Sequence, residues 1–191
     1  MKLTRILPFA RLLLEKAIQP GEIVVDGTMG NGFDTAFLAG LIGENGHVYA
    51  FDIQSEAIQN TTAKLEAEDL LNRCTLFHAG HEQLTSLIPA NETRKLTGAI
   101  FNLGYLPGGD KSITTQAITT ISAIEQLLEL MVPEGIIVLV IYHGHPEGEV
   151  ERDELLEYVK TIPQNKAHVL HYGFMNQVNH PPFIVAIEKR G

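Results

Sequence analysis

Glu22-Ile23-Val24-Val25-Asp26-Gly27-Thr28-Met29-Gly30-Asn31-Gly32-Phe33-Asp34 is the stretch that decides the fold. The apolar run Ile23-Val24-Val25 ends in an acid, Asp26, and a turn rich in glycine follows. A helical pattern begins near Phe33. This predicts a buried parallel strand feeding a tight loop that opens onto a helix N-terminus. Gly27, Gly30 and Gly32 let the backbone pass close to a ligand with no Cβ in the way. The helix end offers unpaired N–H groups to an anion. Asp26 suits a ligand that also carries a positive group. The combination points to a nucleotide-like cofactor.

Outward from that stretch, 191 residues are enough for one domain with a full core, expected over 1–191 with a helical segment at 1–20. A hydrophobic content of 45% marks a globular chain. No run is long enough to span a bilayer, and no secretory leader pattern opens the sequence. The lone cysteine, Cys74, excludes an internal disulfide and a multi-cysteine zinc site. A cytoplasmic location is the expectation. A formal net charge of −9 argues against sequence-blind coating of nucleic acid, which needs many cations. It leaves room for recognition of one RNA feature through a local patch. Lys2, Arg5, Arg11 and Lys16 are the candidate patch, the alternative being a solvated amphipathic face.

The remaining pattern alternates strands and helices. Helices are expected over 4–18, 33–42, 55–71, 114–131 and 149–162, with a short helical piece reaching Ile88 and a loop at 89–91. Strands are expected at 47–51, 74–79, 96–101 and 135–142, the last being the most apolar and so placed centrally. Two closing strands, 169–174 and 183–187, are joined by a short link that suits an antiparallel pair. The fold class is therefore α/β: a seven-stranded, mostly parallel, doubly wound Rossmann-like sheet whose last strand is antiparallel and forms an edge, with helices on both faces.

Ligands of such sheets bind beyond the C-terminal strand ends. The first end supplies Asp26 and the glycine loop. The second supplies Asp52-Ile53-Gln54, where a carboxylate can accept from two ribose hydroxyls and Ile53 can press on a base. An acid there serves NAD equally, so Asp52 does not choose the cofactor. The third supplies Gly80-His81-Glu82, with His81 either at an adenine edge or a solvated cap. The fourth supplies Asn102-Leu103-Gly104-Tyr105. An amide oxygen there can accept hydrogen bonds from an amine and orient its lone pair, and Tyr105 can stack on a planar base. Asp110, Lys111 and the neighbouring glycines form a candidate substrate grip or a plain surface loop. Tyr142, His143 and His145, at the fifth end, are candidate substrate contacts. Two histidines two apart supply too few ligands for a metal, and none is expected.

The glycine order matters. Dinucleotide sites use G-x-G-x-x-G, whereas this loop is G-x-x-G-x-G led by Asp26 and resembles that of S-adenosylmethionine (SAM) methyltransferases. Asn102-Leu103-Gly104-Tyr105 resembles the Asn-Pro-Pro-Tyr motif of amine-directed methyltransferases at its first and fourth positions, with Leu and Gly replacing the prolines. Together with Asp-Ile-Gln, Gly-His-Glu, the Asn102–Lys111 run and Tyr-His-Gly-His, the whole chain is similar to one bacterial family. Its members were long catalogued as rRNA methylases and are now understood as tRNA 5-(aminomethyl)-2-thiouridine methyltransferases. The resemblance implies SAM-dependent N-methylation of an aminomethyl group on the tRNA wobble uridine, and a homodimer. On this reading Asp26, Gly27, Thr28, Gly30, Asn31, Asp52, Gln54 and His81 hold the cofactor, and Asn102 and Tyr105 present the amine. An rRNA or small-molecule amine methyltransferase and a non-catalytic nucleotide-binding module are the alternatives.

Overall fold

Seven strands alternate with helices along the chain in the computed structural model, which describes residues 2–110 and 112–191. Lys111, one half of the expected substrate grip, lies outside the described residues. Helix α1 spans Ile6–Ala17, β1 Ile23–Asp26, α2 Phe33–Ile42, β2 His47–Asp52, α3 Ser55–Ala67 and β3 Cys74–His78. Two short helices follow, α4 (Leu84–Leu87) and α5 (Ala90–Thr93), then β4 (Leu96–Leu103) and α6 (Ala117–Leu130). The chain closes with β5 (Ile136–Ile141), α7 (Pro146–Thr161), β6 (Ala167–Tyr172) and β7 (Phe183–Lys189).

The sheet order is β3-β2-β1-β4-β5-β7-β6. Strands β1 to β5 pair in parallel, and β7 runs antiparallel to both β5 and β6. The expected sheet is therefore present, with one difference of placement. The antiparallel strand β7 is not the edge; it inserts between β5 and β6, and β6 forms the edge. The short 173–182 connection carries the chain back beside β6, where β7 also finds an open partner in β5.

Alternation along the strands sorts side chains onto two faces. Val25, Ala99, Phe101, Leu103, Ile137 and Leu139 pack with α4, α6 and α7 residues such as Leu84, Ile124 and Leu155. Val24, Ile100, Val138 and Val140 pack with Ile6, Ala10 and Leu14 of α1 and Leu38 and Ile42 of α2. The α1 residues recur at i, i+4 and i+8, so one stripe of that helix faces the sheet. Burial of each large apolar side chain there contributes about 1.5–3 kcal/mol.

Several boundaries differ from expectation. Strand β4 runs two residues past Phe101, so Asn102 and Leu103 belong to the strand and not to the turn after it. Residues 90–93 form a helical turn instead of a loop, and α3 stops at Ala67. Helix α7 begins at Pro146, whose missing N–H costs nothing at a first helical turn.

Candidate active site

The loop after β1 is organised from inside by Asp26. This carboxylate is wholly buried; it accepts the Thr28 N–H (3.1 Å) and the Thr35 hydroxyl (2.6 Å). Burial, and after it the nearby Asp34, pushes its pKa up to about 7. Asp26 was expected to meet the ligand's positive group. With no exposed surface and both oxygens engaged, it shapes the loop instead. Gly27 follows where a Cβ would overlap the Phe101 ring, and Gly32 caps α2 at φ +77°, a conformation that favours glycine.

His81 is likewise neither a solvated cap nor an exposed base contact. It is 7% exposed, and its Nδ1 lies 2.9 Å from the Gly27 carbonyl. A carbonyl only accepts, so Nδ1 carries the proton. Burial holds the imidazole pKa below its ordinary value, which favours the neutral ring, and the buried Nε2 finds no partner among the described residues. His81 thus braces the glycine loop from the end of β3.

Asp52 keeps acceptor capacity at the end of the second strand. At the end of β2 and half-buried, it accepts one N–H on each oxygen, Gly30 (3.0 Å) and Gln54 (3.0 Å). A carboxylate has about four acceptor positions, so both oxygens retain capacity for hydroxyl donors. Ile53 beside it is 58% exposed, an apolar surface next to a polar anchor. Asn31 bridges the loop outward, donating to the Pro107 carbonyl (3.3 Å) and accepting from Asn60 (2.9 Å). A carboxylate with spare acceptors, an open apolar face and a glycine loop fit SAM, which Asp52, Ile53, Gln54 and the Gly30 turn could hold.

Asn102 sits across the loop at the end of β4. Its backbone N–H donates to the Thr28 hydroxyl (2.7 Å), which occupies Thr28 within the protein. The side chain falls on the same strand face as Ile100 and so meets α2 and α1. Nδ2 donates to Asp34 Oδ2 (2.8 Å), and Asp34 Oδ1 accepts from Arg11 of α1 (3.1 Å). Because a carboxylate only accepts, the contact fixes which end of the amide is nitrogen, and Oδ1 of Asn102 is left to receive a donor. Arg11 therefore serves the site and leaves the expected basic patch to the exposed Lys2, Arg5 and Lys16.

Gly104 and Tyr105 are tied down by a second network. The Gly104 N–H donates to the Thr115 hydroxyl (2.9 Å), and that hydroxyl donates to Glu151 (2.6 Å) on α7. Glu151 also accepts from Thr120 (3.2 Å) and is 3% exposed, with burial raising its pKa. The Tyr105 and His145 rings stand edge to face at 5.3 Å, and a Cβ on Gly104 would touch Tyr142. Tyr105 and Tyr142 are 38% and 37% exposed, so both offer ring surface. Tyr142, His145, Tyr105 and Asn102 are thus brought together.

His143 is not among them. Its Nε2 donates to the Pro181 carbonyl (3.0 Å), and its Nδ1 accepts from Arg152 (3.1 Å). It lines a neighbouring cavity of about 450 Å³ with His171, Phe174, His180 and Phe183. Burial holds its pKa below the ordinary value. Alternation at the strand end sends Tyr142 and His143 to different sides.

Asp34, Thr115 and Glu151 were missed in the sequence, and Arg11 was read only as part of the basic patch. Asp34 reads as an ordinary acid in a first helical turn. Glu151 did carry a signal: it shares a stripe with Leu155 and Val159 at i+4 and i+8, an acid on an apolar face.

A family model described as "Putative rRNA methylase" matches residues 48–188. A protein named "tRNA (mnm5s2U34)-methyltransferase, chloroplastic" from Arabidopsis thaliana is 33% identical over 188 residues, covering 94% of this chain and 68% of that protein. A solved structure described as a "putative rRNA-methylase" from Clostridium thermocellum is 44% identical, with a TM-score of 0.95 over 99% of this chain and 100% of that one. Another, a "putative methyltransferase" from Streptococcus mutans in complex with S-adenosylhomocysteine (SAH), is 36% identical, with a TM-score of 0.88 over 98% of this chain and 99% of that one.

Proposed function

The chain belongs to this rRNA-methylase family, and is a SAM-dependent methyltransferase; from that premise we propose that it N-methylates the aminomethyl group of 5-aminomethyl-2-thiouridine at the tRNA wobble position. The observation that carries the reading is the Asn102 amide, which is anchored through its nitrogen and keeps its oxygen for an N–H donor. The name of the Arabidopsis relative supports the choice of RNA.

SAM supplies an electrophilic methyl group on a sulfonium. Asp52 and Gln54 would anchor its ribose end, Ile53 would cover the base, and the Gly30 turn would line the same pocket. Asn102 accepts from the substrate amine and aims its lone pair. The work is positioning for an in-line displacement, which needs no covalent intermediate. Tyr105 and Tyr142 offer flat faces for the uridine ring. The amine attacks in its neutral form, so turnover rises with pH until that amine is deprotonated. The working partner on this reading is tRNA in the cytoplasm, met by a homodimer.

The test is methyl transfer from isotope-labelled SAM to tRNA that lacks only the terminal methyl, followed by mass spectrometry of the nucleosides. One labelled methyl on the aminomethyl nitrogen is the expected result. Label on rRNA alone, or on small amines with tRNA untouched, would refute the substrate.

A further inference from the structure

An asparagine side chain has two ends of opposite hydrogen-bonding character, and only the oxygen accepts from an amine. Half a turn about its last torsion would confront the substrate with an NH2 group. Something must choose between the two ends. We propose that Asp34 is a positioning residue for methyl transfer, fixing the Asn102 amide with its oxygen toward the substrate, and that Arg11 holds Asp34 in place to do so. This inference rests on the amine-directed reading given above.

Three observations carry it. Asp34 Oδ2 accepts from Asn102 Nδ2 at 2.8 Å, and turning the amide over would place its oxygen against a carboxylate oxygen. Asp34 Oδ1 is engaged by Arg11 Nη2 at 3.1 Å, and the Asp34 side chain is only 16% exposed, so the acceptor is fixed from behind. The same short segment also holds the Asn102 backbone, through the Thr28 hydroxyl at 2.7 Å. Asn102 is therefore gripped twice by residues 28–34, the segment whose glycines form the cofactor loop. The charge of Asp34 is felt by Asp26 at the end of β1 and by Tyr142 after β5. Among the described residues, the side-chain hydrogen bond given by Asn102 Nδ2 goes to Asp34. The loop that holds one reactant thus also sets the orientation of the group that holds the other.

Full-length Asp34→Ala and Asp34→Asn separate this role from a merely structural one. Turnover on tRNA bearing the aminomethyl group, SAH affinity by calorimetry, and solvent exchange of the Asn102 side-chain NH2 protons by NMR are the readouts. Asp34→Ala is expected to lower kcat about tenfold, since a mispositioned reactant is costly, with the SAH Kd unchanged. Its Asn102 NH2 protons should exchange faster. Asp34→Asn has a single oxygen for two donors, Asn102 Nδ2 and Arg11; the guanidinium takes it and the new NH2 faces Asn102, so kcat should fall at least as far as in Asp34→Ala, with the SAH Kd again unchanged. An unchanged kcat in Asp34→Ala, a loss with unchanged Asn102 exchange, or an Asp34→Asn that turns over like the parent would each overturn the proposal. If Asp34→Ala does not fold, Arg11→Gln takes its place, with faster Asn102 exchange expected and unchanged exchange fatal. A parent protein inactive on this tRNA would sink the substrate reading alone. The Asn102 exchange measurement needs no RNA and would still decide the positioning claim.

Discussion

With no accessible surface and a pKa pushed up from 3.8 to about 7, Asp26 keeps a proton in the folded chain at pH values where the unfolded chain has released it. Its contribution to stability is therefore whole below about pH 4 and is lost as pH climbs toward 7. Asp26→Asn can keep both contacts, accepting from Thr28 and donating to Thr35 once that hydroxyl turns. The variant should gain on the parent by roughly 2–3 kcal/mol between pH 5 and pH 8, measured by urea denaturation at the two pH values. Parallel pH dependences would show that Asp26 is not the group that titrates. Single residues also mark the limit of sequence reading. The position of Asp52 at a strand end was legible because the apolar run before it and the helix start after it bound the strand. The tasks of Asp26 and His81 were not, since an acid or imidazole at a strand end looks the same whether it meets a ligand or braces the loop. Burial decides between those roles, and burial is a property of the packed chain.

Helix α7 reaches the site without touching it. Glu151 receives the Thr115 and Thr120 hydroxyls, and Thr115 receives the Gly104 N–H. The Thr115 N–H in turn donates to the Gly104 carbonyl at 3.1 Å, so Gly104 is clamped on both sides. Glu151→Ala removes buried volume and strands two hydroxyls; a loss of about 2–4 kcal/mol is expected in urea denaturation. Turnover should fall with it as Tyr105 loosens, while Glu151→Gln, which still offers an oxygen, should be milder in both assays. Equal effects of the two substitutions would mean that the charge, not the hydrogen bonding, is what α7 supplies. Elements as such were well marked in the sequence, because apolar runs bounded by glycine and proline leave little choice of type. Their ends were less so. Nothing in Phe101-Asn102-Leu103 announces that the strand continues, yet pairing of Asn102 with Val140 and Leu103 with Ile141 extends it. That extension points Asn102 toward α1 and α2. The place of β7 between β5 and β6 was equally hidden, since two edges can satisfy the same short connection.

Over the whole molecule, a net charge of −9 has to be reconciled with the proposed RNA substrate. Arg11 is spent on Asp34, and Arg152 is engaged by Asp153 and His143. Lys2, Arg5 and Lys16 stay exposed at α1, the helix that also delivers Arg11 to the site. Three cations seated on the phosphates of a single-stranded loop would release about three counterions. The logarithm of affinity should then fall against the logarithm of salt with a slope of about −2, shallow beside proteins that coat nucleic acid. Stacking on Tyr105 and Tyr142, which salt scarcely screens, would supply the remainder. Replacing Lys2, Arg5 and Lys16 together by glutamine should flatten the slope toward zero and weaken tRNA binding at low salt. SAH binding should be untouched, because none of the three lies in the loop, at Asp52 or at Asn102. Fluorescence anisotropy with a labelled anticodon stem-loop across a salt series makes the measurement. An unchanged slope in the triple variant would place the RNA on another face of the molecule and remove α1 from the interface, while leaving the methyl-transfer site as described.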